Sequence, residues 1–343
     1  MKTKLIAFLA VMLLFVMSGV ACGSSGDTTH THIPNKAVEE NRAGETCATD
    51  GSYEIVVYCS GCNAEISREK KTIYGGHVYI GNSCGRCLIE RDEEYIYFGE
   101  YPQTIKADSV TITSTVDSRG YYLGSDGAYY AKVIANPYKS GYVFSDGSRV
   151  LEAAVYYFKV EPIRWRILTE GDGKALILCD SIIAEMQYCK GYSNNYKNSN
   201  VREWLNNEFY KTAFSELQKA IILTTLVDNS AESAGFSKSL NDCEDTADKI
   251  FLPSYSEITN DAYGFFSDNG GDGARERITS DYLRAIGGYM RASGFDVGKA
   301  EWWLRSPYGG TESARFVSVN GNVEDGTKVY YSLGVVPALW IIL

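Results

Sequence analysis

The chain has 343 residues, with 33 Lys plus Arg against 43 Asp plus Glu and a formal net charge of −10. This length predicts two folded modules, and 45% apolar residues with 22% charged residues is typical of a chain that buries a core. The acidic balance excludes a surface built to neutralise nucleic-acid phosphates, because such a surface needs clustered Lys and Arg. We therefore expect no nucleic-acid partner.

The distribution of histidine limits the chemistry of the C-terminal part. The three histidines are His30, His32 and His77, and residues 88–343 contain none. A Ser-His-Asp triad, a Cys-His pair or a histidine-ligated metal in that part would need a contribution from the N-terminal module. This pattern favours a binding role over catalysis, and we predict no catalytic residue.

The N-terminus is predicted to be an export signal. Lys2 and Lys4 precede an apolar run over residues 5–17. This run has the length of a signal-peptide core and is too short to span a bilayer. Residues 18–22 (Ser-Gly-Val-Ala-Cys) resemble the lipobox of bacterial lipoproteins. The resemblance implies a signal peptide over 1–21, a lipid on Cys22 and a tether over 22–29, which would anchor the protein on the extracytoplasmic face of the cell membrane. The alternative is an ordinary secreted protein that is cleaved nearby.

Residues 30–87 form a predicted small module that is rich in cysteine and histidine. They hold five of the nine cysteines, and a module this short cannot bury enough apolar area without a metal or disulfides. Two CxxC units, Cys59 with Cys62 and Cys84 with Cys87, predict two tight turns that present four thiolates to one zinc ion, as in zinc ribbons. Disulfides are the alternative, because an exported chain meets an oxidising compartment.

The same module offers further donors and a family resemblance. Cys47 and His77 could each replace a member of the four-cysteine set, whereas His30 and His32 lie in a polar stretch and are expected to be solvated. The module resembles a short zinc-ribbon-like repeat of bacterial surface proteins, which implies a spacer or scaffold. The segments that carry this resemblance are His32, 37–41, Cys47, 51–54, 58–62, 65–68, 76–77 and 84–87.

Residues 88–343 are predicted to form an α+β domain. Aromatic and β-branched runs predict strands near both ends, and capped amphipathic segments predict helices between them. Strands followed by helices and again by strands are typical of this fold class. The predicted strands are 95–104, 155–160, 164–168, 175–179, 302–305, 314–319 and 334–342, and the predicted helix caps are Asn200, Ser215 and Ser280.

Six segments of this domain occur in one characteristic order. Together they resemble a bacterial domain family of unknown function that is marked by Trp-Trp-Leu-Arg-Ser-Pro, found here at 302–307. That family is similar in layout to the C-type-lectin-like fold, which formylglycine-generating enzymes and variable surface adhesins share. The resemblance therefore implies a C-type-lectin-like domain. The six segments are 97–103, 162–165, 201–206, 251–255, 302–307 and 334–339.

The sequence of this domain does not favour a copper site or a calcium site. Formylglycine-generating enzymes need two nearby cysteines that bind copper, whereas Cys179, Cys189 and Cys243 lack that spacing and Cys179 lies in an apolar strand. The loop 267–273 is rich in oxygen ligands and could hold calcium. It lacks the spacing and distal Glu of an EF-hand, so a glycine-rich surface loop is the favoured interpretation.

Aromatic residues favour a binding role. Trp302, Trp303, Arg305 and Arg315 could form a ligand platform, although a Trp pair on a strand more often packs into the core. The sequence has 26 Tyr against 13 Phe. Tyrosine offers a flat apolar ring with a polar hydroxyl, which suits stacking on sugars or contact with proteins. We expect a surface-anchored, non-catalytic binding or adhesion module for a glycan or protein ligand. The alternatives are an enzyme of the formylglycine-generating type and a structural envelope protein.

Overall fold

The computed structural model covers most of the chain after residue 30. The predicted signal peptide 1–21, the predicted lipid-bearing Cys22 and the tether 22–29 lie outside the described residues. No helix among the described residues is long and apolar enough to cross a membrane. The residues that the structure describes are 31–236, 243–292, 294 and 297–343.

The chain has a mixed α and β structure that is rich in strands, with 41% strand and 12% helix. The strands form several small sheets. Its described residues divide into two compact units, the first made of 31–45 with 50–74 and the second of 46–49 with 75–343. The sequence grouped residues 75–87 with the small module, whereas the structure places them in the second unit. Residues 46–49 belong there as well, because the backbone N–H of Gly76 donates to the carbonyl of Thr46 at 3.0 Å.

The first unit is a three-stranded antiparallel sheet in the order β1-β2-β3. Among the described residues of this unit, Val56 and Cys59 are the buried apolar side chains. The sheet therefore has almost no hydrophobic core of its own. Its strands are β1 (Val38–Ala43), β2 (Gly51–Tyr58) and β3 (Glu65–Ile73).

The second unit is built from many short strands around one long strand, with short helices between them. A π-helical turn at Leu205–Phe209 joins the first two helices. Short 3₁₀ helices are found at Tyr196–Asn198, Asp261–Tyr263 and Gly273–Arg275. The strands are β4 (Tyr79–Ile80), β5 (Ser83–Cys84), β6 (Glu90–Arg91), β7 (Tyr95–Ile105), β8 (Ile112–Val116), β9 (Tyr122–Gly124), β10 (Tyr129–Ile134), β11 (Val155–Gly171), β12 (Lys174–Cys179), β13 (Ser181–Ile182), β14 (Ala184–Gln187), β15 (Thr225–Val227), β16 (Thr246–Asp248), β17 (Ile278–Thr279), β18 (Trp302–Pro307), β19 (Ser313–Val317), β20 (Val323–Lys328), β21 (Ser332–Val335) and β22 (Ala338–Ile342), and the helices are α1 (Asn200–Trp204), α2 (Tyr210–Ala213), α3 (Glu216–Ile221), α4 (Tyr255–Ile258) and α5 (Asp281–Ala285).

The long strand β11 organises a ten-stranded sheet. The sheet runs β4-β5-β6-β7-β11-β10-β9-β8, while β11 also pairs with β12, which in turn pairs with β22. The sequence predicted two strands here, at 155–160 and 164–168, with Pro162 between them. The structure joins them, and the register against β7 shifts between Pro162 and Arg164. That irregularity accommodates the missing N–H of the proline.

A five-stranded sheet in the order β14-β21-β18-β19-β20 carries the Trp-Trp-Leu-Arg-Ser-Pro segment as its central strand. All six residues of β18 are buried. The indole N–H groups of Trp302 and Trp303 donate to the carbonyls of Arg275 and Met186, both at 3.0 Å. Tryptophans that are fully buried and whose indole N–H groups are hydrogen-bonded are part of the core, so they are not available as an exposed ligand platform.

Two of the three predicted helix caps are confirmed and one is wrong. Ser215 caps α3 in a reciprocal capping box, and Ser280 caps α5. The cap of α1 is Ser199 rather than Asn200. The side-chain oxygen of Asn200 instead accepts the backbone N–H of Lys190 at 2.7 Å, so it is not available for capping.

Candidate metal centre

Four donor side chains from three segments converge in the second unit, and we call them the C-terminal metal group. Cys47, His77, Cys84 and Cys87 each offer one ligand atom, and all four atoms lie within 4.8 Å of one another. The Sγ atoms of Cys47 and Cys84 are 3.7 Å apart, and Sγ of Cys87 lies 3.4 Å from Nδ1 of His77. Three thiols and one imidazole are a donor set that suits tetrahedral metal ions. The group could therefore hold a metal ion.

The turn at 84–87 explains why two of the thiols lie together. The backbone N–H of Leu88 donates to the carbonyl of Cys84, and the N–H of Cys84 donates to the carbonyl of Ile89, both at 2.9 Å. Leu88 adopts a φ of 61°, in the left-handed region that bulky residues rarely enter. This conformation closes the turn and places the sulfurs of Cys84 and Cys87 close together.

A second turn brings Cys47 to the same place. The hydroxyl of Thr46 accepts the N–H groups of Ala48 and Thr49, at 3.1 and 3.0 Å, which closes the turn around Cys47. Gly75 packs so closely that a Cβ there would lie 2.4 Å from the carbonyl oxygen of Thr49. Only glycine permits this approach, which places the following segment, including His77, beside Cys47.

The imidazole of His77 is oriented by the core of the unit. Its Nε2 lies 3.0 Å from the carbonyl oxygen of Ile342 in β22. Because a carbonyl only accepts hydrogen bonds, Nε2 carries the proton and Nδ1 presents its lone pair towards the thiols. This is the outer-shell contact that metal-ligating histidines typically make.

The ionisation of the thiols also fits a cation. Burial acts to raise the pKa of Cys84, but the backbone N–H groups of Cys87 and Arg86 donate to its sulfur and lower that pKa to about 6. Burial raises the pKa of Cys87 to about 12 and also raises the pKa of Cys47. One thiolate is thus present at neutral pH, and a bound cation would displace the protons of the other two thiols.

Three further donors lie together in the first unit, and we call them the N-terminal metal group. The ligand atoms of His32, Cys59 and Cys62 lie within 4.8 Å of one another, and Sγ of Cys62 is 3.4 Å from Nδ1 of His32. Cys59 is buried and Cys62 is exposed. His32, which the sequence led us to expect in solvent, is therefore one of a set of three donors.

The structure divides the four cysteines that the sequence predicted as one zinc site. The CxxC pair at 84–87 lies with Cys47 and His77, whereas the pair at 59–62 lies with His32. Cys47 and His77 were recognised in the sequence as spare donors, and they belong to the more complete group. Sequence reasoning missed His32 as a donor, because its polar surroundings gave no reason to place it beside a cysteine pair.

The loop 267–273, for which calcium was the less favoured interpretation, contains an internal cation. The guanidinium of Arg275 is completely buried and donates to carbonyl oxygens of this loop and its neighbours. The carboxylate of Asp272 accepts two backbone N–H groups and lies 3.6 Å from Nε of Arg275. The oxygens that calcium would need are therefore already engaged. The accepting carbonyls are those of Ile258, Phe266, Asp268, Gly270 and Gly321.

A cleft in the second unit is lined by the carboxylates of Asp180, Glu276 and Asp281. Such a cluster would favour an enzyme if its charges were free to act on a substrate. Each carboxylate instead has a cationic partner, so its charge is already compensated. The pairs are Asp180 with Arg164, Glu276 with Lys299 and Asp281 with Arg284.

A tyrosine cluster, made of the exposed Tyr192 and Tyr331 and the half-buried Tyr330, lies on the second unit. The ring centroids of Tyr192 and Tyr330 are 5.3 Å apart, and those of Tyr330 and Tyr331 are 5.0 Å apart. Tyr192 is 58% exposed and Tyr331 is 53% exposed. Tyr192 also has a φ of 58°, and strained backbone of this kind concentrates at functional sites. The number of tyrosines in the sequence does not indicate which of them lie together, so this cluster was missed.

These features define a strand-rich protein of two compact units with cysteine and histidine groups that could hold metal ions. Comparison with protein families matches residues 172–343 to the family described as a domain of unknown function, DUF6273. The match covers half of the chain, which therefore belongs to this family. The prediction of a C-terminal domain of unknown function is confirmed in that form. A search of curated proteins and a search of solved structures found no match.

Proposed function

We propose that this protein is a lipid-anchored surface protein whose second unit binds a glycan or protein ligand without chemical turnover. The tyrosine cluster is the observation that supports the binding role best. A C-type-lectin-like fold for the C-terminal domain belongs to the same proposal and is supported by the ordered segments in its sequence. A zinc ion in the C-terminal metal group serves structure rather than chemistry.

The zinc proposal follows from the number and surroundings of the donors. Structural zinc sites have four protein ligands and no open position, and the C-terminal metal group supplies three thiols and one imidazole. The three thiols are buried, at 5% exposure or less, so a substrate would have little access to the ion. Cys47, His77, Cys84 and Cys87 would therefore join three chain segments rather than activate a water molecule.

The binding proposal follows from the chemistry of exposed, preordered rings. Tyrosine offers a large contact area at a low entropic cost, and its hydroxyl can hydrogen-bond to sugars or peptides. The rings of Tyr192 and Tyr330 pack against each other with their centroids 5.3 Å apart, and this contact orders part of the face. This arrangement suits weak recognition at the cell surface.

We expect the substitutions Tyr192→Ala and Tyr331→Ala to reduce ligand binding at least about tenfold without unfolding the protein, because exposed contact residues contribute to affinity more than to stability. The measurement is a glycan and protein array probed with the full mature chain, followed by affinity measurement on the best ligand. Tyr138→Ala is the matched control, since Tyr138 is also exposed (60%) and packs edge-on against another tyrosine. Repeated chemical turnover of a bound molecule, or full binding by both variants, would overturn the proposal.

The anchor proposal predicts where the protein is found in its host. The mature chain should carry lipid on Cys22 and partition with membranes, and Cys22→Ser should release it into the medium or periplasm. Fractionation with intact-mass measurement tests this, because a lipidated chain is heavier by its acyl groups. An unmodified wild-type chain that is freely soluble in the host would contradict the anchor.

A further inference from the structure

We infer that the first unit holds a metal ion of its own, bound by His32, Cys59 and Cys62. The protein then carries two separate metal sites, one in each compact unit, instead of a single four-cysteine site. The inference rests on the shape of the CxxC turn, on the placement of the histidine and on the lack of a core in this unit.

The CxxC turn of the first unit repeats the backbone geometry of the turn at 84–87. The N–H of Asn63 donates to the carbonyl of Cys59 at 2.9 Å, and the N–H of Cys59 donates to the carbonyl of Ala64 at 2.7 Å. Asn63 has a φ of 58°, close to the 61° of Leu88 at the equivalent position. Two turns of the same form, each gathering two thiols, are therefore present in one chain.

The first turn also prepares one of its sulfurs to carry negative charge. The backbone N–H of Gly61 points at Sγ of Cys59, with a distance of 3.4 Å. Such a bond stabilises a thiolate, which is the form in which cysteine binds metals.

The segment that carries His32 is fixed against this turn by backbone contacts. The N–H of Ser60 donates to the carbonyl of Ile33 at 2.9 Å, and the N–H of Asn35 donates to the carbonyl of Tyr58 at 2.9 Å. Pro34 and Cys59 form an isolated bridge between these contacts. The residues that follow His32 are therefore fixed against the turn, which places its imidazole beside the thiols.

A bound ion would stabilise the first unit, which has almost no hydrophobic core. Val56 and Cys59 are its buried apolar side chains among the described residues, and Cys59 is itself a donor. Small units without a core generally need a metal or disulfides to fold. One imidazole and two thiols select zinc among the common biological cations. A water molecule or a further donor would complete the coordination of the ion.

Zinc stoichiometry of the reduced, full mature chain tests this inference, with native mass spectrometry as the readout and zinc as the only added ligand. We expect two ions on the wild-type chain, and one ion on Cys62→Ser and on His32→Ala. Cys84→Ser should also hold one ion, and the variant that combines Cys62→Ser with Cys84→Ser should hold none. Cys243→Ser, which lies in neither group, is the matched control and should hold two.

A single zinc ion on the wild-type chain would overturn the inference, and this measurement does not depend on whether a variant folds. Two ions retained by Cys62→Ser would overturn it as well. So would a loss of two hydrogen masses that maps to a bond between Cys59 and Cys62 in protein from the native host, because a disulfide there leaves no thiolates for a metal.

Discussion

Cys84→Ser is expected to lower the free energy of unfolding of the second unit by at least about 3 kcal/mol, since structural metal sites contribute directly to folding. Cys84 is completely buried, and the C-terminal metal group ties the turn around Cys47 and the segment around His77 to the CxxC turn. Through Ile342, the same group also contacts the last strand of the ten-stranded sheet. Losing the ion therefore releases several segments at once.

Urea unfolding with and without a zinc chelator measures this effect. The chelator should shift the unfolding midpoint of the wild type down to that of Cys84→Ser, and it should leave the variant almost unchanged. Cys243→Ser is the control, because Cys243 lies outside both metal groups. A second unit whose unfolding is insensitive to the chelator would show that this group holds no structural metal.

Arg275→Met is expected to destabilise the second unit by about 3–5 kcal/mol, because it leaves buried carbonyl oxygens without a donor. Arg275 is 0% exposed and donates to carbonyls of five residues, and its own carbonyl accepts the indole N–H of Trp302. Methionine fills similar space but donates nothing. The loop at 267–273 and the strand β18 should both lose order as a result.

Thermal unfolding of Arg275→Met against Arg164→Met tests this expectation. Arg164 pairs with Asp180 but its side chain is 50% exposed, so its replacement should cost less than about 1 kcal/mol. Added calcium should change neither the wild type nor the variants, because Arg275 already occupies the oxygens of the loop. A cost below about 1 kcal/mol for Arg275→Met, or marked stabilisation by calcium, would contradict this view of the loop.

The metal groups show how far local patterns predict a site. Each CxxC spacing predicted a tight turn with two thiols, and both turns are present. The partners of each turn could not be derived from spacing, because they depend on which distant segments the fold brings close. Cys47 reaches Cys84 across 37 positions only because Gly75 has no side chain to block the approach of the two segments.

The fold shows the same limit in its strands and caps. Alternating aromatic residues correctly indicated β7, a continuous apolar run indicated β12, and a tryptophan pair indicated β18, because burial of one or both faces determines such patterns. The continuity of β11 through Pro162 depends on a register shift against β7, which the sequence of β11 alone does not encode. The use of Ser199 rather than Asn200 as the cap likewise depends on Lys190, whose backbone N–H binds the side chain of Asn200.

We propose that each CxxC turn has its own metal site, and that the C-terminal metal group binds its ion through three sulfurs and one nitrogen. The most direct measurement is the cadmium-113 NMR spectrum of the full mature chain after zinc is replaced by cadmium, since the chemical shift reports how many sulfurs bind the ion. We predict two resonances, one typical of three sulfurs with one nitrogen and one typical of two sulfurs. A single resonance typical of four sulfurs would contradict the claim, because it would place both cysteine pairs on one ion.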